Sequence, residues 1–228
     1  MTVRKFIALT SAALAAVAVT ASAEVAVDVT SAYIFRGATV NDEVNVQPGF
    51  ETTAFGDAIG VGTWANFNTD SSEFDEIDYY FSYSLPMGDS PVSVDIGYTE
   101  YTYPTAAADA DREPFISFGY AMDAVETSLL LAYGVDGGIE DSFYGELGLG
   151  LSLLSEDNVS VSASAALGYV DPDSGESGFS HLTLGLGVDL AIPESDRSVS
   201  ASVNYVVETD EDVLVIDEEV FFVVGTTL

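Results

Sequence analysis

Seven charged residues stand at positions where alternating side chains turn them away from an apolar face. They are Asp28, Arg36, Glu51, Asp78, Asp95, Glu146 and Asp189. Six are acids, and Arg36 is their principal basic counterpart. Carboxylates confined together raise one another's pKa or recruit cations. Lining a wet channel, they favour cation passage. In a nearly closed interior the same acids would hydrogen-bond Tyr80, Tyr144 and nearby Ser and Thr instead. The residue types fit an open pore and a polar plug alike.

Other candidates for chemistry are few. His181 is the single histidine, and Ser180 precedes it. Neighbours in a strand point to opposite faces, so this pair is not expected to share a site. With no second histidine and no cysteine, neither a hydrolase triad nor a zinc site is expected. Asp171-Pro172-Asp173-Ser174-Gly175-Glu176 offers oxygen ligands of the kind calcium takes. Its glycine falls at the fifth place and no acid stands at the twelfth, which departs from the EF-hand spacing. A solvated acidic loop is the expectation. The sequence assigns no catalytic residue, metal or cofactor, and no enzyme activity is expected.

The elements that position these residues alternate with period two. From Ile77 to Leu85, the residues Ile77, Tyr79, Phe81, Tyr83 and Leu85 share one face and Asp78, Tyr80, Ser82 and Ser84 the other. Strands separate side chains in this way; a helix would scatter them. The pattern recurs over 25–36, 46–54, 59–67, 77–85, 92–99, 116–120, 128–133, 143–151, 159–169, 182–190, 198–205 and 219–225, twelve segments in all. Glu100 is the one charge on an apolar face, near a strand end. Charge there costs ~2–4 kcal/mol at mid-bilayer and little at the interface.

Connections alternate in length. The short ones are Gly56-Asp57, Pro86 to Ser90, Asp123-Ala124, Ser155 to Asn158 and Pro193 to Asp196. The long ones are Gly37 to Val44, Asn68 to Glu73, Pro104 to Glu113, Val135 to Asp141, Asp171 to Ser180 and Glu208 to Glu218. This predicts an all-β fold: a transmembrane antiparallel up-and-down barrel of about twelve strands. Its short turns would be periplasmic and all six longer acidic loops would point outward. Tyr33, Phe35, Tyr79, Tyr98, Tyr101, Tyr103, Tyr120, Tyr133, Phe143, Tyr169 and Tyr205 lie near strand ends, as interfacial girdles would. The rival is a soluble β-sandwich, which would bury the apolar faces between two sheets.

Bulk properties agree with an exported barrel. Arg4 and Lys5 precede an apolar run from Phe6 to Thr20, and Ala21-Ser22-Ala23 has the small-residue form of a cleavage site. Residues 1–23 are expected to be a signal peptide removed before Glu24, leaving a single domain over 24–228. Of 228 residues, 5 are Lys or Arg and 38 are Asp or Glu. Without the leader, Arg36, Arg112 and Arg197 remain against all 38 acids, a net charge near −35. Such a chain repels nucleic acid and anionic surfaces. Adaptation to saline water would produce the same excess. Yet 48% of residues are hydrophobic and mean hydropathy is +0.27, so apolar and acidic residues must be finely interleaved. No stretch after the leader approaches the 18 consecutive apolar residues of a spanning helix.

Ser31-Ala32-Tyr33-Ile34-Phe35-Arg36-Gly37, Gln47-Pro48-Gly49-Phe50-Glu51, Gly60-Val61-Gly62-Thr63-Trp64-Ala65-Asn66 and Glu76-Ile77-Asp78-Tyr79-Tyr80 follow one another at strand spacing. Together they resemble the opening of the Gcw_chp family, also called TorF-like porins, over about residues 25–103. The resemblance implies an outer-membrane, pore-like protein of a Gram-negative-type bacterium. It sets the expectation of a porin-like channel for passive diffusion of small polar solutes, preferring cations. The alternative is a plugged structural or surface-interaction barrel with acidic cation-binding loops. Expected partners are outer-membrane lipids, small polar or cationic solutes and the barrel-assembly machinery. Leu228 stands where that machinery usually favours Phe, but it keeps the apolar parity of Val220, Phe222 and Val224.

Overall fold

A computed structural model of the chain describes residues 23–54, 58–213 and 219–228. The leader expected at 1–23, apart from its last residue, and the Gly56-Asp57 turn lie outside them. Alternating sequence becomes strand along the rest. In chain order the strands are β1 (Glu24–Thr30), β2 (Tyr33–Phe35), β3 (Ala38–Asn41), β4 (Asn45–Ala54), β5 (Ile59–Asn68), β6 (Glu73–Ser84) and β7 (Val92–Thr102). They continue with β8 (Asp111–Met122), β9 (Val125–Tyr133), β10 (Phe143–Glu156), β11 (Val159–Asp171), β12 (Gly178–Ala191), β13 (Ser198–Glu208) and β14 (Glu219–Thr227).

β1 and β4 to β14 close into one antiparallel barrel of twelve strands. Closure is made by β1 against β14, from Ala26↔Thr227 to Thr30↔Val223. A closed sheet has no edge, so its backbone donors and acceptors are met without water, which a bilayer requires. Nine to fourteen residues in each of β4 to β14 suffice to cross hydrocarbon at a tilt.

The outward face is apolar and uncovered. Leu147, Leu186 and Phe222 are each more than half exposed, at 55–56%. A sandwich would have buried them between sheets; a single closed layer presents them to lipid. Phe143, Tyr169 and Phe179 form an edge-to-face row at the long-loop end of this belt. Glu100, the expected exception, lies at the same rim. It accepts from Arg112 Nη2 at 3.4 Å, and Arg112 also pairs with Asp136.

Two expectations fail at the first long connection. It does not point outward, and Tyr33 does not join the aromatic girdle. Residues 31–44 turn into the barrel, where β2 and β3 pair as a short hairpin. The reason is an apolar seat inside the lumen. Ser31 is clipped to β14, its N donating to Phe222 O at 2.9 Å and its Oγ accepting from Phe222 N at 2.9 Å. The chain then folds Ala32 and Ile34 onto Val206 and Phe221, the inward-facing apolar residues of β13 and β14. Tyr101 is likewise an inside residue, 5% exposed, not a girdle one.

Candidate functional site

The inserted hairpin reaches most of the barrel wall. On one side the Tyr33 ring lies 5.5 Å from Trp64 of β5, and its hydroxyl donates to Glu76 Oε2 of β6 at 2.8 Å. Phe35 meets Tyr101 of β7 edge to face at 5.7 Å. On the other side Thr39 Oγ1 donates to Glu219 Oε2 of β14 at 2.9 Å. At the hairpin base, Asn66 Nδ2 donates to Asn45 Oδ1 at 2.9 Å, and Asn45 Nδ2 to Asn41 Oδ1 at 2.6 Å. Asn45, Asn66 and Val206 have no exposed surface at all. At this level the interior is packed.

Arg36 is the tip residue. It adopts φ +51°, and Gly37 follows at φ +84°, a left-handed pair that turns the chain tightly. The guanidinium is held on three sides. Nη1 donates to Glu113 Oε1 at 2.8 Å and Nη2 to Glu113 Oε2 at 2.5 Å, a bidentate pair. The Tyr144 ring lies flat beneath it at 4.1 Å. Tyr101 OH donates to Glu113 Oε2 at 3.1 Å and fixes that carboxylate. Glu146 closes the pocket, its Oε2 accepting from Tyr144 OH at 2.6 Å. Burial works against the Arg36 charge, but the fields of Tyr101 and Glu113 outweigh it and raise its pKa further above the usual arginine range.

His181 forms the back of this pocket. A bulge in β12, between Gly168↔His181 and Tyr169↔Phe179, leaves Ser180 as an extra residue. Ser180 and His181 are therefore both fully buried, and Ser180 Oγ lies 3.0 Å from His181 Nδ1. The expectation that they point to opposite faces is corrected: it assumed an unbroken strand. His181 Nε2 is 3.8 Å from Glu146 Oε2 and makes no hydrogen bond to the described residues. Neither side chain is exposed while the hairpin is docked. Gly37 packs directly on the ring, where a Cβ would stand 2.4 Å from His181 Cγ.

The other residues singled out from sequence occupy two levels. Asp78 and Glu146 are buried at the hairpin level, each 4% exposed. Asp78 Oδ1 has no hydrogen-bond partner among the described residues. Asp28, Glu51, Asp95 and Asp189 face inward nearer the short turns. There Glu51 Oε2 accepts from Tyr80 OH at 3.1 Å, and Asp95 Oδ1 from Ser84 Oγ at 2.5 Å. Gly60, Gly148 and Gly187 lie there against the hydroxyls of Ser82, Ser128 and Ser162, and Asp95 is itself buried. Glu76 and Glu113 were not anticipated. Continuing the parity of Asp78 and Ser117 by one or two steps toward the loops would have found them. Among the described residues, no group of three or more acidic or histidine side chains is placed to hold a metal ion.

A family model described as "Bacterial protein of unknown function (Gcw_chp)" matches residues 12–225. The chain belongs to that family, and the likeness extends well past the 25–103 that its motifs suggested. No curated protein sequence matches the chain. Among solved structures, the NanC porin superposes with a TM-score of 0.59 at 10% identity, covering 91% of this chain and 99% of that one. The KdgM porin gives 0.59 at 9% identity, covering 90% and 96%. The same porin in complex with disordered oligogalacturonate gives 0.60 at 9% identity, with the same coverage. At such identity the likeness is one of fold. The chain is a closed twelve-strand β-barrel of porin-like architecture.

Proposed function

We propose that this Gcw_chp chain is a porin-like channel for passive diffusion of small polar solutes, with a preference for cations. The supporting observation is the sign of the inward face. Asp28, Glu51, Glu76, Asp78, Asp95, Glu113, Glu146 and Asp189 line it, and Arg36 is already paired. Rings of carboxylates in a water-filled passage concentrate cations and repel anions. The barrel domain is 24–228, exported by a leader cleaved before Glu24 and inserted by the barrel-assembly machinery. Reversal potential across a planar bilayer under a salt gradient tests the reading. A cation-selective potential supports it, and anion selectivity rules it out.

A second reading follows from the packed hairpin: a plugged barrel with a structural or surface role and acidic, cation-binding loops. It predicts no conductance from the wild type or from a variant lacking residues 32–42.

A further inference from the structure

Arg36 sits in a place built to recognise a guanidinium. Its pocket supplies a bidentate carboxylate, Glu113, oriented by Tyr101 at 3.1 Å. It supplies an aromatic floor, Tyr144, at 4.1 Å. It supplies a second carboxylate, Glu146, 4% exposed, and a stacked imidazole, His181, whose ring is 6° from parallel with Tyr144. A planar cation with paired N–H donors satisfies all of these, where a round ammonium satisfies only the charge. The side chain occupying it belongs to a loop. Every wall component comes from a barrel strand: Glu113 from β8, Tyr101 from β7, Tyr144 and Glu146 from β10, His181 from β12. The pocket therefore remains when the hairpin leaves.

We propose that this pocket is a guanidinium-binding site of the lumen, which the chain's own Arg36 fills when the hairpin is docked and which a guanidinium-bearing solute takes in its place. The docked hairpin is the closed state. A solute that binds the pocket competes with Arg36 for one carboxylate pair, so binding and opening are the same event. By mass action it shifts the hairpin only in proportion to its preference for the emptied pocket. This deepens the channel reading, since it rests on a lumen that conducts once cleared, and it names the solute class.

Two readouts keep the site and the channel separate. Trp64 is the single tryptophan and lies 5.5 Å from the Tyr33 ring, so its emission reports hairpin docking. In detergent-folded R36A, with barrel formation checked by heat-modifiable gel mobility, Trp64 emission should shift to that of the undocked state. Millimolar guanidinium chloride should move wild-type emission toward that of R36A, at least tenfold more potently than methylammonium chloride. R36A/E113Q, already undocked and without the carboxylate, should not respond. In planar bilayers R36A should conduct several-fold more than wild type, and guanidinium should raise the wild-type current toward that of R36A. A wild-type spectrum indifferent to guanidinium, or equally responsive to methylammonium, overturns the site. A guanidinium response in emission, with no current from wild type, R36A or the hairpin deletion, leaves the site standing and overturns the channel reading.

Discussion

Arg36 and Glu113, 77 positions apart in the chain, meet across the lumen through two parallel hydrogen bonds. One residue is on a loop tip and the other on the barrel wall, so this contact decides whether the interior is filled.

Breaking the pair from the wall side should be costlier than removing both partners. E113A leaves the Arg36 charge buried without its carboxylate, a loss of about 3 kcal/mol. The double variant R36A/E113A should recover part of it. Urea unfolding of the detergent-folded barrel, followed by Trp64 emission, measures the cycle; strictly additive losses would show that the two residues do not interact.

Gly37→Ala should undock the hairpin while leaving the barrel intact. A Cβ at φ +84° is strained, and it would stand 2.4 Å from His181 Cγ, so about 1–3 kcal/mol is lost locally. Trp64 emission should move as in R36A while heat-modifiable mobility persists. An unchanged spectrum would place the strain elsewhere.

The lipid face should reject charge that the lumen tolerates. Leu147→Arg, at a residue 56% exposed on the outward belt, should destabilise the folded barrel in lipid by ~2–4 kcal/mol. Ser162→Arg, on the inward face of β11, should cost much less. Equal costs would mean that Leu147 does not face hydrocarbon.

Removing acids from the lower lumen should weaken selectivity without touching the hairpin. Asp95→Asn with Asp189→Asn keeps side-chain size and removes two negative charges. The reversal potential should fall toward zero and the Trp64 spectrum should stay as in wild type. An unaltered potential would place the selective residues at the hairpin level instead.

The barrel was legible in the sequence because its cause is local. A strand in a single-layer membrane barrel has one lipid face and one inward face, so each side chain carries its assignment in its own parity. Twelve alternating segments and alternating connection lengths follow without knowledge of any contact. Asp78, Asp95 and Glu146 were placed by the same rule. Where parity breaks, local reading fails: the β12 bulge puts Ser180 and His181 on one side, and nothing in a Ser-His step announces an extra residue.

The closed sheet, its apolar exterior and its acidic inward face can be read from the chain alone, because they depend on side-chain type at alternate positions. What fills the interior depends on contacts that exist only in the folded barrel. The 31–36 segment continues the alternation of the first wall strand, and its Arg36 has the parity of a lining residue. Whether it continues the wall or folds inside depends on Val206, Phe221, Glu113 and Tyr144, from four strands far along the chain. Those residues meet only once the barrel has closed. An apolar seat and a carboxylate brought together by closure outweigh solvation of a loop whose own pattern is neutral between the two.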